Sequence, residues 1–158
     1  KIFFDKIFLI YIFFVLFFSS NLIILVNDLA LYISNSPSVY LKNDVYKATI
    51  WLRENTKEDS VIFSSYENGN LIPAFSLRPV YLGHGHGTAQ FDKKLVQVDS
   101  FFRNTNDEEG QVFLKENGID YLFFGEVERE TSSFNPEEKD YFVKVFENNS
   151  VSIYQFNN

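Results

Sequence analysis

From Ile7 to Val26 the chain runs twenty residues without a charge, and sixteen of them are Leu, Ile, Phe or Val. No polar face interrupts this run, the pattern of a helix that is apolar all round. At about 1.5 Å per residue it reaches about 30 Å, the thickness of a bilayer's hydrocarbon core. Each of those side chains favours insertion by roughly 0.3–0.6 kcal/mol near a helix centre, several kcal/mol together. Ser19, Ser20 and Asn21 oppose this, but they are uncharged and lie past the midpoint. The reading is a transmembrane helix. A signal peptide has an apolar core of only about 7–15 residues and an Ala-x-Ala-like site after it, which is missing here. Lys1 and Lys6 precede the run, and Asn27 and Asp28 follow it. The positive-inside rule then puts the N-terminus in the cytoplasm and the remainder outside. Leu29 to Ile33 continues the helix into the interface, with Tyr32 at headgroup level.

Beyond Ile33 the pattern shortens and alternates. Ser-Asn-Ser-Pro-Ser (34–38) is a breaker cluster, so residues 1–34 and 35–158 read as two domains. Asn43 or Asp44 is expected to cap a helix through 45–56, with Val45, Ala48, Trp51 and Leu52 on one face. SVIFSS (60–65) reads as a buried strand, and a short apolar helix opens at Asn68-Gly69-Asn70. VYLG (80–83) reads as a second strand, and the glycine-rich stretch 84–88 as a loop. Helices are expected from Ala89 to Arg103, with Phe91, Leu95, Val98 and Phe102 inward, and from Asp107 to Gly118. IDYLFFG (119–125) is a third strand. YFVKVFE and SVSIYQF form an antiparallel hairpin about Asn148-Asn149. The fold class is α/β: an N-terminal transmembrane helix, then a small α/β sandwich ending in that hairpin.

Charge sharpens the contrast between the halves. Residues 1–34 balance two lysines against two aspartates, leaving 12 Lys+Arg against 19 Asp+Glu in the remainder and the whole net −7 there. Phosphate backbones are gripped by clustered Lys and Arg, so nucleic acid is not an expected partner. Cysteine is absent, which excludes disulfides, thiol catalysis and cysteine-held metals. Methionine is absent too, even at position 1, so the chain reads as a piece of a longer protein.

Several clusters invite a chemical reading, each beside a plainer one. Ser64 to Asn70 joins a strand end to a helix start. Its backbone N–H groups can bind a phosphate or sugar hydroxyls, with Ser65, Tyr66, Glu67 and Asn70 adding contacts. The plainer reading is a turn permitted by Gly69 and capped by Asn68. Arg78 and His84 bracket the second strand and are expected at one end of the sheet, Arg78 pairing with a phosphate or merely fixing the turn before Pro79. His84-x-His86 lacks further ligands at zinc spacing. The acids at 107–109 and Glu126, Glu128 and Glu130 read as solvated runs, Glu128 having no constraining partner.

The order of phrases adds a resemblance. WLRENTKEDSVIFSSYENGNLIPAFSLRPVYLGHGHGT, a helix, FLKENGIDYLFFG and VFENNSVSIYQF follow one another over residues 45–156. This resembles the C-terminal tail of bacterial multi-pass membrane proteins of the GT-C glycosyltransferase type, in which a bundle of membrane helices ends in a small extracytoplasmic α/β domain. The resemblance implies a parent enzyme in the cell membrane that moves sugar from a polyprenyl-phosphate donor to a glycan or protein acceptor. The family's catalytic carboxylate lies in an early external loop that this chain does not include, so no catalytic residue is carried over. No cofactor is implied for this chain, and a divalent metal would belong to the upstream membrane part. The competing class is a single-pass anchored domain, outside the cell, that binds without catalysis.

A reporter fused after Asn158 is expected to be active only on the external side. Cytoplasmic activity would overturn the orientation.

Overall fold

The computed structural model describes residues 2–33, 41–104 and 106–157. It divides into two compact units, Lys1–Leu41 and Lys42–Asn158. The first contributes the helix α1 (Ile2–Ile33), and Lys6–Ile33 is long and apolar enough to cross a membrane, with a mean hydropathy of 2.6 over an 18-residue window. The three polar side chains inside its uncharged stretch turn back on the helix. The Ser19 and Ser20 hydroxyls donate to the Leu16 carbonyl, each at 3.0 Å, and the Asn21 amide donates to Phe17 at 2.8 Å. Satisfied in this way, they cost an apolar helix far less than open donors would. The expected breaker cluster at 34–38 lies outside the described residues.

The second unit runs α2 (Asn43–Asn55), β1 (Val61–Phe63), α3 (Tyr66–Ser76), α4 (Phe91–Asn104), α5 (Asp107–Glu116), β2 (Ile119–Phe124), α6 (Glu126–Thr131), a 3₁₀ turn (Pro136–Glu138), β3 (Phe142–Glu147) and β4 (Ser152–Phe156). The strands form one sheet in the order β1-β2-β4-β3. β1 and β2 are parallel, while β4 is antiparallel to both β2 and β3. This is the expected α/β class with its closing hairpin.

Alternation along the strands sorts the core into two layers. Phe63, Leu122, Phe124 and Tyr154 face α4 and α5, where Val98, Phe101, Phe102 and Leu114 meet them. Ile62, Phe123 and Ile153 face the other way, against Ala48 and Leu52 of α2 and Ile72 of α3. Phe63 is the hub of the first layer. Its ring lies 4.8 Å from Phe101, 5.4 Å from Phe102 and 5.6 Å from Phe113.

Some expectations change: β1 covers only 61–63 of the expected 60–65, α3 opens at Tyr66 and not at Asn68, and α4 starts at Phe91 and not at Ala89. Lys42, not Asn43 or Asp44, occupies the cap position of α2, and no side-chain bond caps it. VYLG shrinks to one bridge, Val80 against Ile62, because β1 itself is only three residues long. Leu95 of α4 is 37% exposed, and Phe101 takes the inward position instead. The hairpin turn is longer than Asn-Asn: Asn148 accepts from the backbone of both Ser150 and Val151 through its side chain. Gly118 fulfils its expected role, taking φ +62° just after α5.

Truncating Phe63 to Ala is expected to cost about 3–5 kcal/mol in chemical denaturation, against about 0.5 kcal/mol or less for Val143→Ala on the exposed side of β3. Alkaline pH gives a second check. Burial, with the charges of Asp107 and Asp140, pushes the Tyr141 phenol from 10.0 up to about 12. Folding therefore favours its neutral form. That stabilisation is whole below pH 10.0 and is lost as pH rises to about 12, a decline that Tyr141→Phe should lessen.

Candidate functional site

Two parallel strands end side by side, and the chain leaving each one builds the site. After β1, Ser64 and Ser65 are buried, and Ser65 starts α3 by accepting from the Asn68 backbone N–H at 3.3 Å. The cap is thus Ser65, and Asn68 does other work. After β2, Gly125 starts α6, and Glu128 lies three residues on.

Glu128 joins the two strand ends. It is fully buried. One carboxylate oxygen, Oε1, accepts from the Ser65 backbone at 2.8 Å and from Asn68 Nδ2 at 2.9 Å. The other, Oε2, accepts from the same amide nitrogen and from the Gly125 backbone, both at 2.8 Å. A carboxylate taken out of water must be bonded in this way to remain there. The expectation that Glu128 sits in a solvated run without a partner is therefore wrong. The signal was present in sequence: Gly125-x-x-Glu128 straight after an apolar strand places a carboxylate to reach back over a helix start.

The glycine-rich loop is pressed against the same corner. A side chain at Gly69 would put its Cβ 2.0 Å from the Leu82 carbonyl oxygen, and one at Gly83 would stand 3.1 Å from the Gly69 oxygen. Only glycine lets the first turns of α3 lie backbone-to-backbone on residues 82–83. Loop 83–88 is closed by its own bonds. The His84 carbonyl accepts from Gly87 and Thr88, and Thr88 Oγ1 accepts from the Gly83 N–H. His84 Nδ1 accepts from the His86 N–H at 3.3 Å, which leaves Nε2 to carry the proton of the neutral ring.

The site residues expected from sequence separate into two groups. Tyr66, Glu67 and Asn70 lie on the opening turns of α3, and His84 lies on the adjoining loop. Tyr66 is half-buried with its ring edge-on to Phe91 at 5.5 Å, whereas Glu67, Asn70 and His84 are exposed. Asn70 donates to the Tyr66 carbonyl at 2.8 Å. Arg78 is not brought to them. The segment 79–81 runs parallel to β1, with Ile62 N–H on Pro79 O and Tyr81 N–H on Ile62 O. Residues that bracket a strand stand at its opposite ends, so Arg78 is at the far end from His84. There it is buried, and it donates to Thr56 Oγ1, Thr56 O and Arg53 O at 2.6–3.0 Å, closing the end of α2. Among the described residues no three of His, Asp and Glu converge as a metal would require.

The corner thus offers a phenol, a carboxylate, an amide and an imidazole on a rigid base. It can bind hydroxyls or a phosphate by hydrogen bonds. Glu128→Ala is expected to cost about 3 kcal/mol or more in chemical denaturation, since it strands buried donors worth about 1–3 kcal/mol each. Glu128→Gln should cost nearly as much, because its amide N–H₂ replaces an acceptor facing donors. Glu130→Ala, two residues away and exposed, should change stability by about 0.5 kcal/mol at most.

No protein-family model matches the chain, and no curated protein matches it significantly. Solved structures do. The chain is similar to the C-terminal globular domain of an oligosaccharyltransferase from Archaeoglobus fulgidus, with TM-score 0.54 and 14% identity, over 74% of this chain and 99% of that domain. It is also similar to part of the archaeal oligosaccharyltransferase AglB from Archaeoglobus fulgidus, in complex with an inhibitory peptide and a dolichol-phosphate, with TM-score 0.40 and 17% identity. That match covers 68% of this chain, which spans only 16% of the full enzyme. What the first likeness establishes is the fold of the globular unit: a mixed α/β domain like the C-terminal globular domain of that oligosaccharyltransferase.

Proposed function

We propose that this chain is the C-terminal, extracytoplasmic part of a membrane glycosyltransferase of the GT-C type. It serves an enzyme that draws sugar from a polyprenyl-phosphate donor. The observation that carries the reading is the likeness to nearly the whole globular domain of an oligosaccharyltransferase, in a chain where a membrane-length apolar helix precedes that domain. In this reading the domain covers the membrane-embedded active site of the parent enzyme. The α3 start and loop 83–88 contribute contacts to the carrier phosphate or the acceptor through Tyr66, Glu67, Asn70 and His84. Ser65 shapes that corner from within as the cap of α3. Arg78, at the other end of β1, holds α2 and takes no part in binding.

The arrangement supports binding and not bond cleavage. Paired carboxylates for glycosyl chemistry need to flank a common substrate position, and at this corner Glu128 is closed off by its four hydrogen bonds while Glu67 stands in solvent.

The test uses the parent enzyme in membranes with a polyprenyl-phosphate sugar donor. Tyr66→Ala and His84→Ala are each expected to lower transfer about tenfold, the effect of losing one good polar contact of roughly 1.5 kcal/mol, while Lys57→Ala leaves it unchanged. Wild-type transfer by both folded variants would remove this corner from the function. Transfer by the present chain alone would refute the accessory role.

A further inference from the structure

A second opening lies on the other side of α6. We infer that the cleft between α6, the 3₁₀ turn and the β3–β4 hairpin is a binding site for a neutral saccharide of one or two rings. The preference for sugar over other polyhydroxyl ligands rests on the glycosyl-transfer reading above.

The place of the cleft follows from the register. Phe124 of β2 stands opposite Ser152 of β4, which stands opposite Glu147 of β3. All three are at the sheet end where β1 and β2 finish. Consecutive residues of α6 therefore serve two openings: Glu128 holds the α3 corner, and Arg129 lines the cleft. Its volume is about 380 Å³, at the small end of the range for ligand clefts. That suits a mono- or disaccharide and is too small for a lipid chain or a folded partner.

One guanidinium and two carboxylates line the cleft, and Lys144, paired with both carboxylates from beside it, balances their charge. Lys144 bridges Glu137 and Glu147 and holds the Glu137 carboxyl below the usual range. Arg129 lies over the Phe124 ring and donates to Ser150 O at 2.8 Å and Ser152 Oγ at 3.2 Å. Each carboxylate has lone pairs beyond its lysine bond, and the guanidinium has N–H groups beyond these two. The walls thus offer fixed acceptors and donors side by side with no net charge. A polyanion or polycation gains nothing from such a surface, and an apolar ligand would strand its polar groups. A sugar hydroxyl, which donates and accepts at once, satisfies it. The half-buried Phe134 supplies the apolar surface against which a sugar ring can lie, with the buried Tyr154 behind Lys144.

The test is saturation-transfer NMR on the whole chain in phosphatidylcholine nanodiscs, which avoids sugar-headed detergents, with N-acetylchitobiose and maltose as probes. Saturation of sugar-ring protons is expected for at least one of them. Glu147→Ala, an exposed strand position whose loss leaves the core intact, should weaken binding about tenfold. Asp92→Ala on α4 should not. Tyr66→Ala should leave sugar binding unchanged, which separates this site from the α3 corner. No transfer to either sugar, equal transfer with Glu147→Ala, or stronger binding of oligolysine than of either sugar would overturn the assignment. None of these results bears on transfer by the parent enzyme, whose failure is read separately.

Discussion

A single buried carboxylate sets the geometry on which the corner where β1 and β2 end depends. β1 and β2 are parallel neighbours, and a parallel pair has no hairpin to fix its ends to one another. The chain leaves β1 into α3 and leaves β2 into α6, and nothing in strand pairing dictates how those departures are spaced. Glu128 does. By accepting from Ser65, Asn68 and Gly125 together, it ties both helix starts to one point. The cost of burying its charge is offset only when all these donors are in place, so the corner forms as a unit.

From that point the neighbouring surfaces follow. Gly69 and Gly83 let loop 83–88 pack onto the α3 start that Glu128 has fixed, which carries His84 to Tyr66, Glu67 and Asn70. The next residue, Arg129, reaches across to Ser150 and Ser152 and shapes the second opening. One six-residue helix therefore organises both. The core beneath is held by ring contacts about Phe63, and Tyr66 and Phe134 from the two openings pack against it.

How much of this the sequence makes legible depends on the range of the interaction involved. α1 is written in twenty uncharged residues, and the hairpin and α5 are written in local caps and alternation. α6 is not, because its signature is a run of alternating acids at 126, 128 and 130 that looks uniform. The structure gives each a different fate. Glu126 pairs with Lys42, which holds its carboxyl below the usual range, Glu128 is buried, and Glu130 faces solvent. Partners 60 and more residues away complete the separation, and locally only the Gly125-x-x-Glu128 spacing marks one acid from the others. Arg78 failed for a simpler reason. Strand geometry puts the two ends of VYLG apart, and the charge of Arg78 suggested a ligand where the end of α2 already needed a donor.

We propose that the corner held by Glu128 faces the lipid-linked sugar donor. The most direct measurement is photo-crosslinking of the parent enzyme in membranes with a polyprenyl-phosphate sugar bearing a photoreactive group, followed by mapping of the adducts by mass spectrometry. Adducts are expected on residues 66–70 and 84–88, reduced by competing unlabelled donor. Adducts confined to distant surfaces such as α5, or none in this chain while the membrane part is labelled, would contradict it.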